Sequence, residues 1–192
     1  MNPAAGKETC WATNGAVGTG RGLCASRSRP WDDMKIEYEP IGVIHSPFQT
    51  TEGMPIQPSG AIGVQGTVEL FPEFGPGLRD LDGFSHIILI YHLHRSVGYS
   101  LLVIPFLDSV ERGVFATRAP KRPNSIGLSV VRLVRVEGDT LHVEDIDILD
   151  GTPLLDIKPY VPEFDRNLGD RVGWLEHGRD RVQKLRADDR FK

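Results

Sequence analysis

Cysteine is scarce in this chain of 192 residues, and both copies, Cys10 and Cys24, fall in its first 33 positions. Neither sits in metal-ligand spacing or in a disulfide framework, so the sequence reads as that of a protein of the reducing cytoplasm. An excess of charge of either sign is lacking too. With 22 Lys and Arg against 26 Asp and Glu, the formal net charge is −4. No whole-molecule field then advertises nucleic-acid binding, and an anionic partner must be met locally. No apolar run approaches the ~18 residues of a membrane span, and the N-terminus lacks the apolar core of a secretion signal. A soluble protein with no membrane partner is expected. Helical periodicity is nearly absent between residues 36 and 161, which excludes a helical bundle and an alternating α/β fold.

What is present is short strands punctuated by Gly and Pro. Residues 1–33 carry Gly, Ala, Ser, Thr, Asn and Arg without periodicity and read as a disordered extension. The run Gly15-Ala-Val-Gly-Thr-Gly20 imitates a phosphate-cradling loop but has no strand before it and no helix after it. At Met34 a β-like alternation begins, so the domain is expected over 34–165, followed by a short charged tail over 166–192 in which Val182 and Leu185 line one side of a short helix. Strands are predicted at 38–46, 60–70, 84–95, 113–116, 127–137, 139–148 and 154–159, with short helical turns near 78–81 and 98–109. Val136-Glu-Gly-Asp-Thr140 reads as a hairpin turn. Many strands without intervening helices predict an all-β-dominated fold, a small and mostly antiparallel barrel.

Three stretches carry chemistry. In Phe84-Ser-His-Ile-Ile-Leu-Ile-Tyr-His-Leu-His-Arg95, a period of two puts His86, His92 and His94 on one face. The His-x-His pair among them could ligate a metal, with no further partner identifiable by spacing, or the three are hydrogen-bonded histidines lining a pocket. In Asp150-Gly-Thr-Pro-Leu-Leu-Asp-Ile-Lys158, the first four residues have the chemistry of a tight turn. Asp156 and Lys158 alternate along the strand that follows, as an inward acid–base pair whose desolvation needs a purpose. In Arg118-Ala-Pro-Lys-Arg-Pro-Asn-Ser-Ile-Gly127, two prolines fix a loop that offers Arg118, Lys121 and Arg122 to an anion, while Gly127 permits close backbone approach.

Together Ile41-Gly-Val-Ile-His-Ser-Pro47, Phe84-Ser-His86, Gly113-Val-Phe-Ala-Thr-Arg118, Arg122-Pro-Asn-Ser-Ile-Gly-Leu-Ser129 and Asp150-Gly-Thr-Pro-Leu-Leu-Asp-Ile-Lys-Pro-Tyr160 resemble the TrmO family, also called TsaA-like or YaeB-like, in order, from about residue 38 to 165. The resemblance implies a β-barrel methyltransferase that uses S-adenosylmethionine to methylate N6 of threonylcarbamoyladenosine at position 37 of transfer RNA. It also implies a homodimer and no metal. By motif, cofactor contacts fall on Pro55, Ile56, Gln57, His94, Arg95, Arg118, Leu128, Asp150, Gly151, Thr152 and Pro153. Bacterial members carry a further C-terminal domain, for which this chain has only its charged tail.

Methyl transfer to N6 needs a base or a stabiliser of negative charge, because the ureido nitrogen's lone pair is delocalised. Asp150, His94 and Asp156 are the candidate bases. Lys158 and Arg118 are candidate stabilisers, and Lys121 and Arg122, held outward between the prolines, are candidate contacts to phosphates of the tRNA anticodon loop. Two rival readings use the same residues: a non-catalytic barrel that binds a nucleotide or RNA, and a metal-dependent small-molecule enzyme built on the histidine strand.

Overall fold

Branched and aromatic side chains at every second position build the sheet. The computed structural model describes residues 34–166, 171–177, 181 and 183–191. Its strands are Gly42–His45 (β1), Gln65–Leu70 (β2), His86–His92 (β3), Leu102–Val103 (β4), Arg112–Gly113 (β5), Ile126–Glu137 (β6), Thr140–Glu144 (β7) and Thr152–Pro159 (β8), and Pro162–Asp165 is a single helical turn. Six of them close a barrel in the order β1-β2-β7-β6-β3-β8, every pair antiparallel, while β4 and β5 form a separate two-stranded ribbon. Closure removes the free edges that an open sheet of this size would present. Ile44, Val68, Ile87, Leu89, Tyr91, Val131, Leu141, Val143, Ile146 and Leu154 fill the interior.

Glu37–Lys192 forms one compact unit. Of the other, Met1–Ile36, only residues 34–36 are described, and they are exposed. The expectations placed on residues 1–33, the two cysteines and the glycine-rich run included, lie outside the described residues, as does Val182.

The β6–β7 hairpin turns where expected: Glu137 pairs with Thr140, and Gly138 takes a φ of 60° at the tip. Residues 114–116, expected as strand, instead form a 3-10 turn. The Val114 carbonyl is claimed locally by the Thr117 hydroxyl at 2.9 Å and by an Arg122 guanidinium N–H at 3.1 Å, so it is not offered to a neighbouring strand. No helix forms over 98–109, where β4 begins.

A bulge in β8 decides the site. Asp156 pairs with Ile90, yet Leu154 pairs with Tyr91, which leaves Leu155 as the extra residue. One extra residue reverses which side chains face inward. Thr152 and Leu154 therefore point into the barrel, and beyond the bulge Asp156 and Lys158 fall opposite the outward Ile90 and Ile88.

Candidate active site

Because neighbouring strands run antiparallel, the ends of β1, β3 and β7 and the starts of β2, β6 and β8 gather at one end of the barrel. A cavity of about 440 Å³ opens there, within the range of small-ligand sites. Six segments wall it. They are the loop after β1 (Thr51, Met54, Pro55, Ile56, Gln57), the end of β3 and its turn (Tyr91, Leu93, His94, Arg95, Ser96), Phe106 of the segment between β4 and β5, the loop into β6 with its first residues (Thr117, Arg118, Pro120, Arg122, Ile126, Gly127, Leu128, Ser129), the connection before β8 with its first residue (Asp147, Ile148, Leu149, Thr152), and the C-terminal segment (Ala187, Asp188, Phe191).

That last segment was read from sequence as a tail. It is held by mutual backbone bonds, Gly53 N–H to Ala187 C=O at 2.9 Å and Ala187 N–H to Met54 C=O at 2.8 Å. Arg190 donates to the Pro105 carbonyl at 2.8 Å, and Phe191 meets Phe106 edge to face with ring centroids 5.1 Å apart.

Of the predicted cofactor residues, Pro55, Ile56, Gln57, His94, Arg95, Arg118, Leu128 and Thr152 line this cavity. Arg118 donates to Gln57 Oε1 at 2.8 Å and so ties two walls together. His94 leaves the face it was expected to share with His86 and His92, because β3 ends at His92 and the chain turns, with His94 N–H on the His92 carbonyl at 2.8 Å. His86 instead meets Ser85 Oγ at 3.0 Å and the edge of Tyr160. Thr152 Oγ gives its proton to the Leu149 carbonyl at 2.7 Å, so it accepts from His94 Nδ1 at 3.3 Å. This assignment leaves Nε2 as an acceptor. Burial first, then Arg95 and His92, lowers the His94 pKa and keeps the ring neutral. Among the described residues, no group of three or more His, Cys, Asp or Glu stands where it could hold a metal ion.

Four expectations are corrected. Asp150 is not on the cavity wall: its carboxylate accepts from the Ser46 N–H at 3.1 Å, from Gln49 Nε2 at 3.2 Å and from His45 Nδ1 at 3.3 Å. Those bonds, Ser46 first, hold its pKa below the usual carboxylate range and brace residues 45–49. Gly151, with φ at 71°, and Pro153, paired with Val43, shape the same turn without lining the cavity. Asp156 and Lys158 pair with each other at 2.7 Å on the outer surface, and Asp156 borders a second cavity at the opposite end of the barrel. Arg122 does not project outward: one Nη bonds the carbonyls of Val114 at 3.1 Å and Thr117 at 2.9 Å, and the guanidinium lies 5.7 Å from the centre of the Phe115 ring.

Asp147, Ser129 and Tyr91 carry polar groups that sequence reasoning missed. Gly127 lies opposite Tyr91, and a Cβ there would collide with the Tyr91 ring. Glycine thus lets the phenol lie across β6 and reach Ser129 Oγ at 3.0 Å. Ser129, fully buried, gives its proton to Asp147 Oδ1 at 2.6 Å, so the Tyr91 hydroxyl is the donor in the first bond. Burial is the main cause that raises the Asp147 carboxyl to about 6, and it also raises the Tyr91 phenol. The available signal was the alternation Ile146-Asp-Ile148, both isoleucines being core. It turns Asp147 away from the core without telling whether water or a cavity lies there.

The family model for the tRNA-methyltransferase O N-terminal domain matches residues 43–166. A probable S-adenosyl-L-methionine-binding protein of Pyrococcus abyssi is 58% identical over 158 residues, 82% of this chain and 86% of that protein. The human tRNA (adenine(37)-N6)-methyltransferase is 37% identical over 136 residues, 66% of this chain but 30% of its own length. The crystal structure of TrmO from Pseudomonas aeruginosa superposes with a TM-score of 0.62 at 43% identity, covering 73% of this chain and 63% of that one.

Proposed function

Given that this chain belongs to the tRNA-methyltransferase O N-terminal domain family, its model matching residues 43–166, we propose that it transfers a methyl group from S-adenosylmethionine to N6 of threonylcarbamoyladenosine at position 37 of transfer RNA. The observation that carries the reading is one cavity uniting eight of the eleven residues expected to hold the cofactor. Its chemistry fits an amphipathic ligand. Leu93, Phe106, Leu128 and Phe191 offer apolar surface, and Arg95 and Arg118 offer cations to a carboxylate. Bound there, S-adenosylmethionine supplies an electrophilic methyl group on a sulfonium.

The protein's part is to hold and align. The Arg118–Gln57 bridge fixes two walls, and Thr152 fixes the ring of His94, so that the reacting groups meet with little entropy left to lose. Lys121, on the proline-bounded loop, is the proposed phosphate contact, and Arg122 serves that loop instead of the RNA. A homodimer is proposed for the surface that bears Val97, Tyr99, Leu101, Leu102 and Phe115, all more than half exposed. No helix among the described residues is long and apolar enough to cross a membrane, and the cytoplasm, where transfer RNA is found, is the proposed location.

The test is calorimetric titration with S-adenosylmethionine, expected in the micromolar range at about −8 kcal/mol, joined to a methyl-transfer assay on transfer RNA. The absence of heat and thermal shift at millimolar ligand contradicts the reading. Binding without turnover would favour the non-catalytic module.

A further inference from the structure

We propose that Asp147 is the proton acceptor of the reaction, with its carboxylate placed to take the N6 proton of the substrate adenine while Ser129, itself bonded by Tyr91, holds Oδ1. The inference rests on the methyltransferase reading above and assigns a role that the sequence motifs did not.

Three observations carry it. Asp147 lines the cavity, whereas two of the three candidate bases read from sequence, Asp150 and Asp156, do not. Its Oδ1 is fixed by Ser129 at 2.6 Å, itself fixed by Tyr91 at 3.0 Å. The carboxylate accepts from Ser129 and from its own backbone N–H, and from no other side chain among the described residues, so about two of its roughly four lone-pair sites remain for a donor in the cavity. The other carboxylate on this wall, Asp188, is taken by Arg190 at 2.7 Å. Among the described residues no salt bridge reaches Asp147, and a desolvated carboxylate with no cation in direct contact is costly unless it serves a ligand.

The charged and titratable groups that share the cavity wall with it are Tyr91 on β3, His94 and Arg95 on the turn after β3, Arg118 and Arg122 on the loop before β6, and Asp188 on the C-terminal segment. Arg118 lowers the Asp147 pKa, less than burial raises it. The carboxyl, raised to about 6, is ionised at neutral pH and still a stronger base than an exposed aspartate. In the step, Asp147 takes the N6 proton as the nitrogen's electron pair forms the new N–C bond. The methyl–sulfur bond breaks with its pair staying on sulfur, which leaves as a neutral thioether. The carboxylic acid then returns its proton to water.

The experiment compares wild type, Asp147→Asn and Ser129→Ala in single-turnover methyl transfer to transfer RNA across pH, with S-adenosylmethionine affinity measured by calorimetry and the Asp147 carboxyl titrated by carbon NMR in the free protein. Wild-type transfer should rise with pH to a plateau above about 6. Asp147→Asn should lose at least ~100-fold in rate and keep its cofactor Kd within about threefold. Ser129→Ala, deprived of a bond that lowers the Asp147 pKa, should move both the NMR midpoint and the rate midpoint upward, and this arm decides the matter if Asp147→Asn fails to fold. Active wild type with Asp147→Asn within tenfold of it, or a loss confined to cofactor Kd, overturns the assignment alone. Wild type that binds the cofactor but methylates no transfer RNA overturns the functional reading and the assignment with it.

Discussion

Arg118 and Gln57, 61 positions apart, meet at 2.8 Å and join the loop after β1 to the loop before β6 across one cavity. Each is expected to contact the cofactor, so each acts partly through the other. Arg118→Ala should weaken S-adenosylmethionine binding about tenfold and Gln57→Ala less. The double variant should fall well short of the sum, because one bond is removed in both. Calorimetry on the three proteins checks this, and strict additivity would show that the bridge is incidental.

Different tasks are proposed for the neighbours Lys121 and Arg122. Arg122 closes the turn Val114–Ala116 by donating to the carbonyls of Val114 and Thr117. Hydrogen bonds from a charged donor contribute about 1.5–3 kcal/mol when buried, and these are only partly so, so Arg122→Ala should cost ~1–2 kcal/mol. It should lower the melting temperature by a few degrees and loosen the cofactor with it. Lys121→Ala should leave cofactor affinity alone and reduce the salt slope of RNA binding by about 0.7.

Asp150 and Asp147 should respond to acid with opposite signs. The folded pKa of Asp150 is lowered by Ser46, Gln49 and His45, so its contribution is complete above the unfolded value and is lost as pH falls through the folded one. The folded pKa of Asp147 is raised from 3.8 to about 6, so stability from this group falls as pH rises from ~4 to ~6 and stays reduced above. Melting temperatures across pH should therefore show Asp150→Asn flattening the acid limb, while Asp147→Asn gains most above pH 6 and least near pH 4.

The barrel was legible in the sequence because one face of each strand is core. Alternation in Ile87, Leu89 and Tyr91 and in Leu141 and Val143 needs no knowledge of neighbours. The Gly138 turn and the positive φ of Gly151 followed from local residue chemistry. The inward placement of Asp156 and Lys158 failed because the bulge at Leu155 is set by pairing with β3, which no residue of β8 announces. Arg122 failed for a similar reason: a cation beside prolines looks solvated until the carbonyls of a distant turn are placed under it. Asp147 was hidden among the acidic residues of 144–150, and only the fold shows that it alone of these carboxylates faces the cavity.

The two ends of the chain should behave differently on truncation. A protein beginning at Met34 is expected to keep its melting temperature and its cofactor, since residues 1–33 have no apolar periodicity with which to join a core. A protein ending at Arg166 loses Ala187, Asp188 and Phe191 from the cavity wall and the backbone bonds between Ala187 and residues 53–54. It should still fold, because the barrel is complete by Pro159. It should bind S-adenosylmethionine at least tenfold more weakly in calorimetry, and unchanged affinity would show that the segment does not bound the site.

Methyl transfer is the function on which the rest depends. The most direct measurement incubates the protein with S-adenosylmethionine labelled in its methyl group and with transfer RNA that either carries or lacks threonylcarbamoyladenosine at position 37. The RNA is then digested to nucleosides and the label located. Label on N6 of the threonylcarbamoyladenosine nucleoside, and none on RNA that lacks it, is the predicted result. Label absent from both RNAs, under conditions where calorimetry shows the cofactor bound, would contradict it.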